Sequence, residues 1–138
     1  MKVILKKEKI LLYSPECARD QQNRIAELLR RNEYAVLCFT EADCGRTIAD
    51  CMAGRAGERS DLTVPESMVL FAQLDNRRLN QALGLLRSER GLLKAVVTEV
   101  NRGWTWSQLY RELDAERTAF QAAEKDGQGD MNRGVEKE

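Results

Sequence analysis

The sequence predicts an α/β fold: a strand-helix-strand-helix unit that occurs twice and forms a mainly parallel four-stranded sheet with helices on both faces. Two observations lead to this prediction. Short apolar runs alternate with segments of helical spacing, which is typical of buried parallel strands joined by crossover helices. The second half also superposes on the first with one constant shift of 58 residues, which places Thr40 on Thr98. A chain of 138 residues has the size of one domain with one core.

The first half predicts a strand, a helix, a second strand and a short helix. The run Ile10–Tyr13 predicts a buried strand that ends before Pro15, because proline cannot continue a ladder of hydrogen bonds. Asp20 is a suitable N-cap for the next helix. The run Ala35–Phe39 predicts the second strand, and the turn after it leads into a short helix whose apolar stripe includes Cys51.

The second half repeats this order after a flexible linker at 54–65, which is rich in turn-forming and charged residues. The run Met68–Phe71 predicts the third strand, and Asp75 can cap the helix that follows. The run Ala95–Val97 predicts the fourth strand. The last helix is predicted at Thr105–Phe120, and its first residues fit a capping box.

These elements predict a single α/β domain at 1–123, with repeat halves at about 8–53 and 66–120. The segment 124–138 is rich in Gly, Asp and Glu, so it cannot bury enough surface to offset its ordering entropy, which predicts a disordered tail. Right-handed crossovers place the two strands of each half side by side, and the predicted strand order is 2-1-3-4. An antiparallel join of the halves across a pseudo-twofold axis is the alternative.

The charge and composition narrow the class of protein. Acidic and basic side chains balance at 22 each, so no overall field directs the chain to nucleic acid or to an anionic membrane. No apolar run suits a signal peptide or a membrane span, which predicts a cytoplasmic protein. Histidine is absent, and there is neither a nucleotide-binding fingerprint nor zinc-ligand spacing. The sequence therefore predicts no cofactor, no metal and no catalytic residue.

The four cysteines all lie in the first half: Cys17, Cys38, Cys44 and Cys51. A chain of this size folds without disulfides, and no C-x-x-C pair is present, so reduced thiols are expected. Cys38 within a strand and Cys51 on a helix stripe are predicted to pack as small apolar side chains. Cys17 and Cys44 lie in loops at the same predicted edge of the sheet.

Polar side chains follow the strands at the predicted carboxyl edge of the sheet, where parallel α/β folds bind ligands. The candidate ligand-binding residues occupy equivalent places in the two halves: Thr40, Glu41, Asp43, Thr98, Glu99 and Asn101. If Glu41 and Glu99 approach each other, the pair could bind a cation or act as an acid. The alternative is that both glutamates are solvated while Asp43 and Asn101 bond to neighbouring backbone groups.

Two tryptophans distinguish the second half, since Trp104 and Trp106 replace Arg46 and Ile48 of the first. Residues two positions apart on a helix point in directions about 200° apart, so both cannot face one core. Trp106 is predicted to face the core. Trp104 either packs back against the helix start or is exposed as a contact for a protein partner. The helix Thr105–Phe120 is the candidate surface for a homodimer.

Three segments carry a resemblance to a known family: Lys9–Tyr13, Pro65–Phe71, and Leu93–Thr98 with the nearby Asn101, Trp104 and Leu109. Over roughly Lys9 to Phe120 the chain resembles the bacterial family known as domain of unknown function 3783 (DUF3783). The family usually has proline where this chain has Val100. The resemblance implies a small α/β fold and a bacterial source, and it implies no activity.

The sequence favours a non-enzymatic interaction or regulatory module that binds another protein or forms a homodimer. The alternative is a small-molecule or anion-binding domain that uses the loops at the carboxyl ends of the strands. An enzyme that uses Glu41 and Glu99 is the third and least favoured class.

Overall fold

The structure is a computed structural model that describes residues 8–57 and 64–131, with side chains described through residue 119. Its strands are β1 (Lys9–Tyr13), β2 (Val36–Phe39), β3 (Ser67–Ala72) and β4 (Leu92–Val96). Its helices are α1 (Arg19–Arg31), α2 (Ile48–Ala53), α3 (Asn76–Leu85) and α4 (Trp106–Met131). Short 3-10 helices lie at Glu16–Ala18, Glu41–Asp43 and Asn101–Gly103. All four predicted strands and all four predicted helices are present.

The four strands form one sheet in the order β2-β1-β3-β4, so the predicted order is confirmed. The prediction of a mainly parallel sheet is wrong. The pairs β1–β2 and β3–β4 are parallel, but the central pair β1–β3 is antiparallel, with Leu11 opposite Leu70. The sheet is therefore mixed, and the halves join in the antiparallel arrangement that was the alternative.

The helices that follow β1 and β2 differ in length. The 13 residues of α1 span roughly 20 Å, enough to return the chain along the sheet to the start of a parallel strand. The six residues of α2 span only roughly 9 Å. The hydroxyls of Ser14 and Ser67 lie 3.0 Å apart, so β3 begins beside the carboxyl end of β1 and runs in the opposite direction.

Helices cover both faces of the sheet, as predicted. On one face, Ile10 and Leu12 of β1 pack with Leu29 of α1 and with Leu86, the C-cap of α3, in a single buried cluster. On the other face, the ring of Trp106 contacts the ring of Tyr13 at 5.6 Å between centroids. The alternation of side chains along each strand thus separates two apolar layers.

The constant shift of 58 residues is wrong for the first strand of each half. Leu12 lies directly opposite Val69, so these two side chains share a face of the sheet. Leu70, which the shift places on Leu12, is the next residue and must face the other side. The shift does hold at the start of the last helix in each half, because Thr47 and Thr105 form an antiparallel bridge with each other. The element order occurs twice, whereas an exact gap-free repeat does not.

The chain forms two compact units, Met1–Ser107 and Gln108–Glu138. The first holds the sheet, α1, α2, α3 and the beginning of α4. The second is helical through Met131 and contains an ion pair of 2.6 Å between Arg117 and Asp114. The predicted boundary at 123 stays a prediction.

The predicted linker and tail lie partly outside the described residues. At the linker, Gly54 ends α2 with a left-handed φ of 73°, and Val64 is buried, while 58–63 lie outside the described part. At the tail, 124–131 belong to α4 and 132–138 lie outside the described part. The predicted disorder of 124–138 stays a prediction. No helix of the described residues has the length and apolar character needed to cross a membrane.

Candidate functional site

The turn after β2 is a hydrogen-bonded capping box. The Thr40 N–H donates to Asp43 Oδ2 at 2.8 Å, and the Thr40 side chain accepts from the Asp43 backbone. The other carboxylate oxygen of Asp43 accepts from Arg46 Nη1 at 2.9 Å. Arg46 also lies 5.7 Å from the centre of the Phe39 ring. The alternative prediction for Asp43, that it bonds to neighbouring backbone groups, is confirmed, because its carboxylate accepts hydrogen bonds from the Thr40 N–H and from Arg46.

The turn after β4 has the same hydrogen bonds with an amide in place of the carboxylate. The Thr98 N–H donates to Asn101 Oδ1 at 2.8 Å, and the Asn101 N–H donates to Thr98 Oγ1 at 3.1 Å. Asn101 Nδ2 in addition donates to the Val96 carbonyl at 3.0 Å. The side chain of Asn101 therefore completes the turn and caps the last carbonyl of β4.

The six predicted ligand-binding residues do not share one edge of the sheet. Since β1 and β3 are antiparallel, the carboxyl ends of β2 and β4 lie at diagonally opposite corners. Strand spacing and rise place those corners roughly 20 Å apart. Thr40, Glu41 and Asp43 lie at one corner, and the equivalent triad lies at the other, so Glu41 and Glu99 do not form a pair at one edge of the sheet. Among the described residues, no group of three or more Cys, Asp or Glu could hold a metal ion.

Gln22 fills the gap between the carboxyl ends of the two strands in the first half. Its Nε2 donates to the carbonyls of Leu12 at 3.0 Å and Phe39 at 2.9 Å, and the residue is only 3 % exposed. This role was not predicted from the sequence. The available signal was its spacing, since Gln22 lies three residues before Ile25 on the apolar stripe of α1. A polar side chain on such a stripe needs buried hydrogen-bond partners.

Trp106 lies in a buried cluster of aromatic rings and thiols. It is 0 % exposed, its ring lies 5.5 Å from that of Phe39, and its indole N–H donates to Cys51 Sγ at 3.3 Å. Burial raises the pKa of the Cys51 thiol above its ordinary value. The Tyr13 hydroxyl donates to the Val64 carbonyl at 2.8 Å, and burial also raises the pKa of this phenol. The predicted core position of Trp106 is confirmed, and the cluster has the character of a structural core.

The cysteines divide by exposure. Cys44 and Cys51 are buried, whereas Cys17 and Cys38 are exposed, and all four are free thiols. The prediction that Cys38 packs as an apolar side chain is wrong, because Cys38 is exposed on the edge strand β2. The prediction for Cys51 is confirmed.

Trp104 is half-buried, and its main chain links the two halves. Its carbonyl accepts from the Ile48 N–H at 2.9 Å, and its own N–H donates to the Asn101 carbonyl at 3.0 Å. The position of the backbone is thus fixed by both halves. Whether the indole contacts a partner stays a prediction.

The exposed apolar residues at the end of β4 are a feature that the sequence did not indicate. Val96 is 48 % exposed and Val100 is 68 % exposed. The run Ala95–Val97 was predicted to be buried, and for Val96 this is wrong, because an edge strand has a neighbour on one side only. Lys94 and Arg102, both exposed, lie on either side of the two valines in sequence. We call Lys94, Val96, Val100 and Arg102 the β4 edge surface.

The fold and this surface define a small mixed α/β domain with an open sheet edge. Residues 67–120, which include β3, α3 and β4, match the model of the family described as domain of unknown function (DUF3783). The match confirms the predicted resemblance to this family for residues 67–120, and the predicted similarity of residues 9–66 stays a prediction. No curated protein and no solved structure matches the chain.

Proposed function

We propose that the protein is a protein-interaction module that binds through the β4 edge surface. The observation that carries this proposal is the exposure of Val96 and Val100, at 48 % and 68 %, on the edge strand and the turn after it. Binding is favoured when a partner removes apolar side chains from water. An open sheet edge also offers backbone hydrogen bonds to a partner.

The opposite edge of the sheet supports the choice of β4. On β2, Val36 is 7 % exposed and Phe39 is 6 % exposed, so this strand keeps most of its apolar surface inside. The long side chain of Arg30 crosses this edge and donates to the Val36 carbonyl at 2.9 Å. The β2 edge is thus partly covered by the chain itself, whereas the β4 edge leaves its valines in water.

The alternative, a small-molecule or anion-binding domain at the strand ends, gains less support. The polar groups of Thr40, Asp43, Thr98 and Asn101 already complete two local turns. The place between the carboxyl ends of β1 and β2 is filled by Gln22.

The proposal is tested by site-specific photocrosslinking with the full chain. A photoreactive residue replaces Val100 in one sample and Ala42 in another. Ala42 is the matched control, because it is exposed and holds the same place in the first turn. In extract of the native cell, we expect position 100 to crosslink to defined protein partners and position 42 to give none of them.

Two further measurements make this test decisive. Val96→Asp in the position-100 sample should abolish those crosslinks, because it places a charge where the partner requires an apolar contact. Crosslinks that persist in Val96→Asp, or that are equal from positions 42 and 100, contradict the proposal. Light scattering across a concentration range shows whether the partner is a second copy of the chain.

A further inference from the structure

The backbone of the β4 edge surface determines which groups an added strand could reach. The Val97 N–H donates to the Phe71 carbonyl at 2.9 Å, so Val97 points its backbone toward β3. Backbone groups of alternate residues point to opposite sides of a strand in a parallel pair. The N–H and C=O groups of Lys94 and Val96 therefore point outward, and of these the Val96 carbonyl is capped by Asn101.

The side chains at these positions add an alternating pattern. Lys94 lies opposite Val69 and Val96 lies opposite Phe71, which places both side chains on the same face of the sheet. Both are exposed. A strand added beside β4 would thus meet a cation and, two residues further, an apolar side chain on one face.

The charge around β4 is basic, although the chain as a whole is neutral. The exposed basic residues of this region lie before, within and after the strand: Arg87, Arg90, Lys94 and Arg102. The two acidic residues of the same region are Glu89 and Glu99. Within residues 87–102, Glu89 is engaged by Arg24 at 2.9 Å, which leaves four exposed basic residues against Glu99.

We infer that the β4 edge surface binds an extended acidic segment of another protein, which adds to the sheet as a fifth strand. The segment carries an acidic residue opposite Lys94 and an apolar residue two positions away beside Val96. The main-chain hydrogen bonds supply affinity, and the alternating side chains supply specificity. This inference rests on the proposed function and names the chemistry of its partner.

A second copy of the chain fits this edge less well. Self-pairing of β4 would bring the two copies of Lys94 and the basic residues at both ends of the strand together. Like charges on paired strands are unfavourable, and lysine on an edge strand is a common means of preventing such pairing. An acidic segment has the opposite charge and meets no such repulsion.

The test uses the full chain and three ten-residue synthetic peptides. In the first, glutamate and valine alternate on one face and threonine fills the other. The second has lysine in place of each glutamate, and the third has proline at its centre, which removes a backbone donor and blocks pairing. Binding is measured by fluorescence anisotropy, and the site by amide chemical shifts of residues 92–102.

We expect the glutamate peptide alone to bind the native chain, to shift the amides of Lys94 and Val96, and to bind more weakly as salt is added. Lys94→Glu should weaken binding of that peptide at least tenfold and create binding of the lysine peptide. Arg31→Glu is the matched control, since Arg31 is exposed on α1, and it should leave both affinities unchanged.

The outcomes separate this inference from the proposed function. If position 100 crosslinks to partners as expected but the glutamate peptide fails to bind, or binds equally after Lys94→Glu, the inference is wrong and the interaction surface stands. If neither crosslinking nor peptide binding occurs, both are wrong. A concentration-dependent dimer that Val96→Asp dissociates would also overturn the inference, because the occupant would be a second copy.

Discussion

The two joints that lead from strand to helix, one in each half, share a local structure and differ in their surroundings. In both, a threonine N–H donates to a side-chain oxygen three residues later at 2.8 Å. In the first joint that oxygen belongs to Asp43, which also holds Arg46. In the second it belongs to Asn101, which also caps the Val96 carbonyl. The residues around the first joint are largely covered, whereas Val96 and Val100 at the second are in water.

This difference shows that a local sequence pattern determines a turn but not its role. The hydrogen bonds within three residues are the same in both joints. The first joint lies beside a buried aromatic cluster that includes Phe39, while the second follows an edge strand with an open side. Local capping is thus compatible with a structural role in one half and with a binding surface in the other.

The largest effect is expected at the start of α4, where the second half packs against the first. Trp106→Ala should lower the free energy of unfolding by about 3–5 kcal/mol, because the side chain is fully buried and its removal leaves a large cavity. Urea denaturation measures this change. Trp104→Ala is the control and should cost clearly less, since Trp104 is only half-buried. Equal losses from the two substitutions would show that the halves meet differently from the structure.

The two edge-strand valines should differ in the same experiment. Val36→Thr should cost about 1–3 kcal/mol, because it places a hydroxyl at a buried position, whereas Val96→Thr should change stability by less than about 0.5 kcal/mol. Urea denaturation of both variants gives the comparison. A large loss from Val96→Thr would mean that the end of β4 is buried, and it would remove the basis of the proposed surface.

The capping residues should contribute similar, smaller amounts. Asp43→Ala and Asn101→Ala should each cost about 0.5–2 kcal/mol, because each removes the acceptor of a threonine N–H. Added salt should reduce only the Asp43→Ala effect, since the ion pair with Arg46 is screened. Denaturation at low and high salt measures this, and an equal salt response would show that the ion pair contributes nothing.

The smallest effect is expected at the contact between the halves on the side of α1. The hydrogen bond from Arg24 is the main cause that lowers the pKa of the Glu89 carboxyl. Burial opposes this shift, and a hydrogen bond from Gln21 adds to it. A lowered folded-state pKa gives stability that is present above the unfolded pKa and is lost as pH falls through the folded value. Because Arg24 is 62 % exposed, Glu89→Gln should cost less than about 1 kcal/mol.

The measurement for this contact is a stability profile from neutral to acid pH for native chain and variant. The loss from Glu89→Gln should be present at neutral pH and vanish in acid, below the folded pKa of Glu89. A loss that is independent of pH would show that the amide disrupts packing rather than the ion pair.

Much of the fold follows from the sequence. Apolar runs and helical spacing gave all four strands, all four helices and the strand order, because burial imposes these periods locally. The turns at Thr40 and Thr98 and the core position of Trp106 were also predictable, since capping and apolar stripes depend on residues a few positions apart.

The direction of the central strands and the exposure of β4 were decided only by the tertiary structure. Because β3 runs antiparallel to β1, the two polar triads lie at opposite corners of the sheet. Val96 and Cys38 lie in apolar runs that are typical of buried strands, yet both are exposed on edge strands. Exposure depends on which distant segments pack against a residue, and no local pattern contains that information.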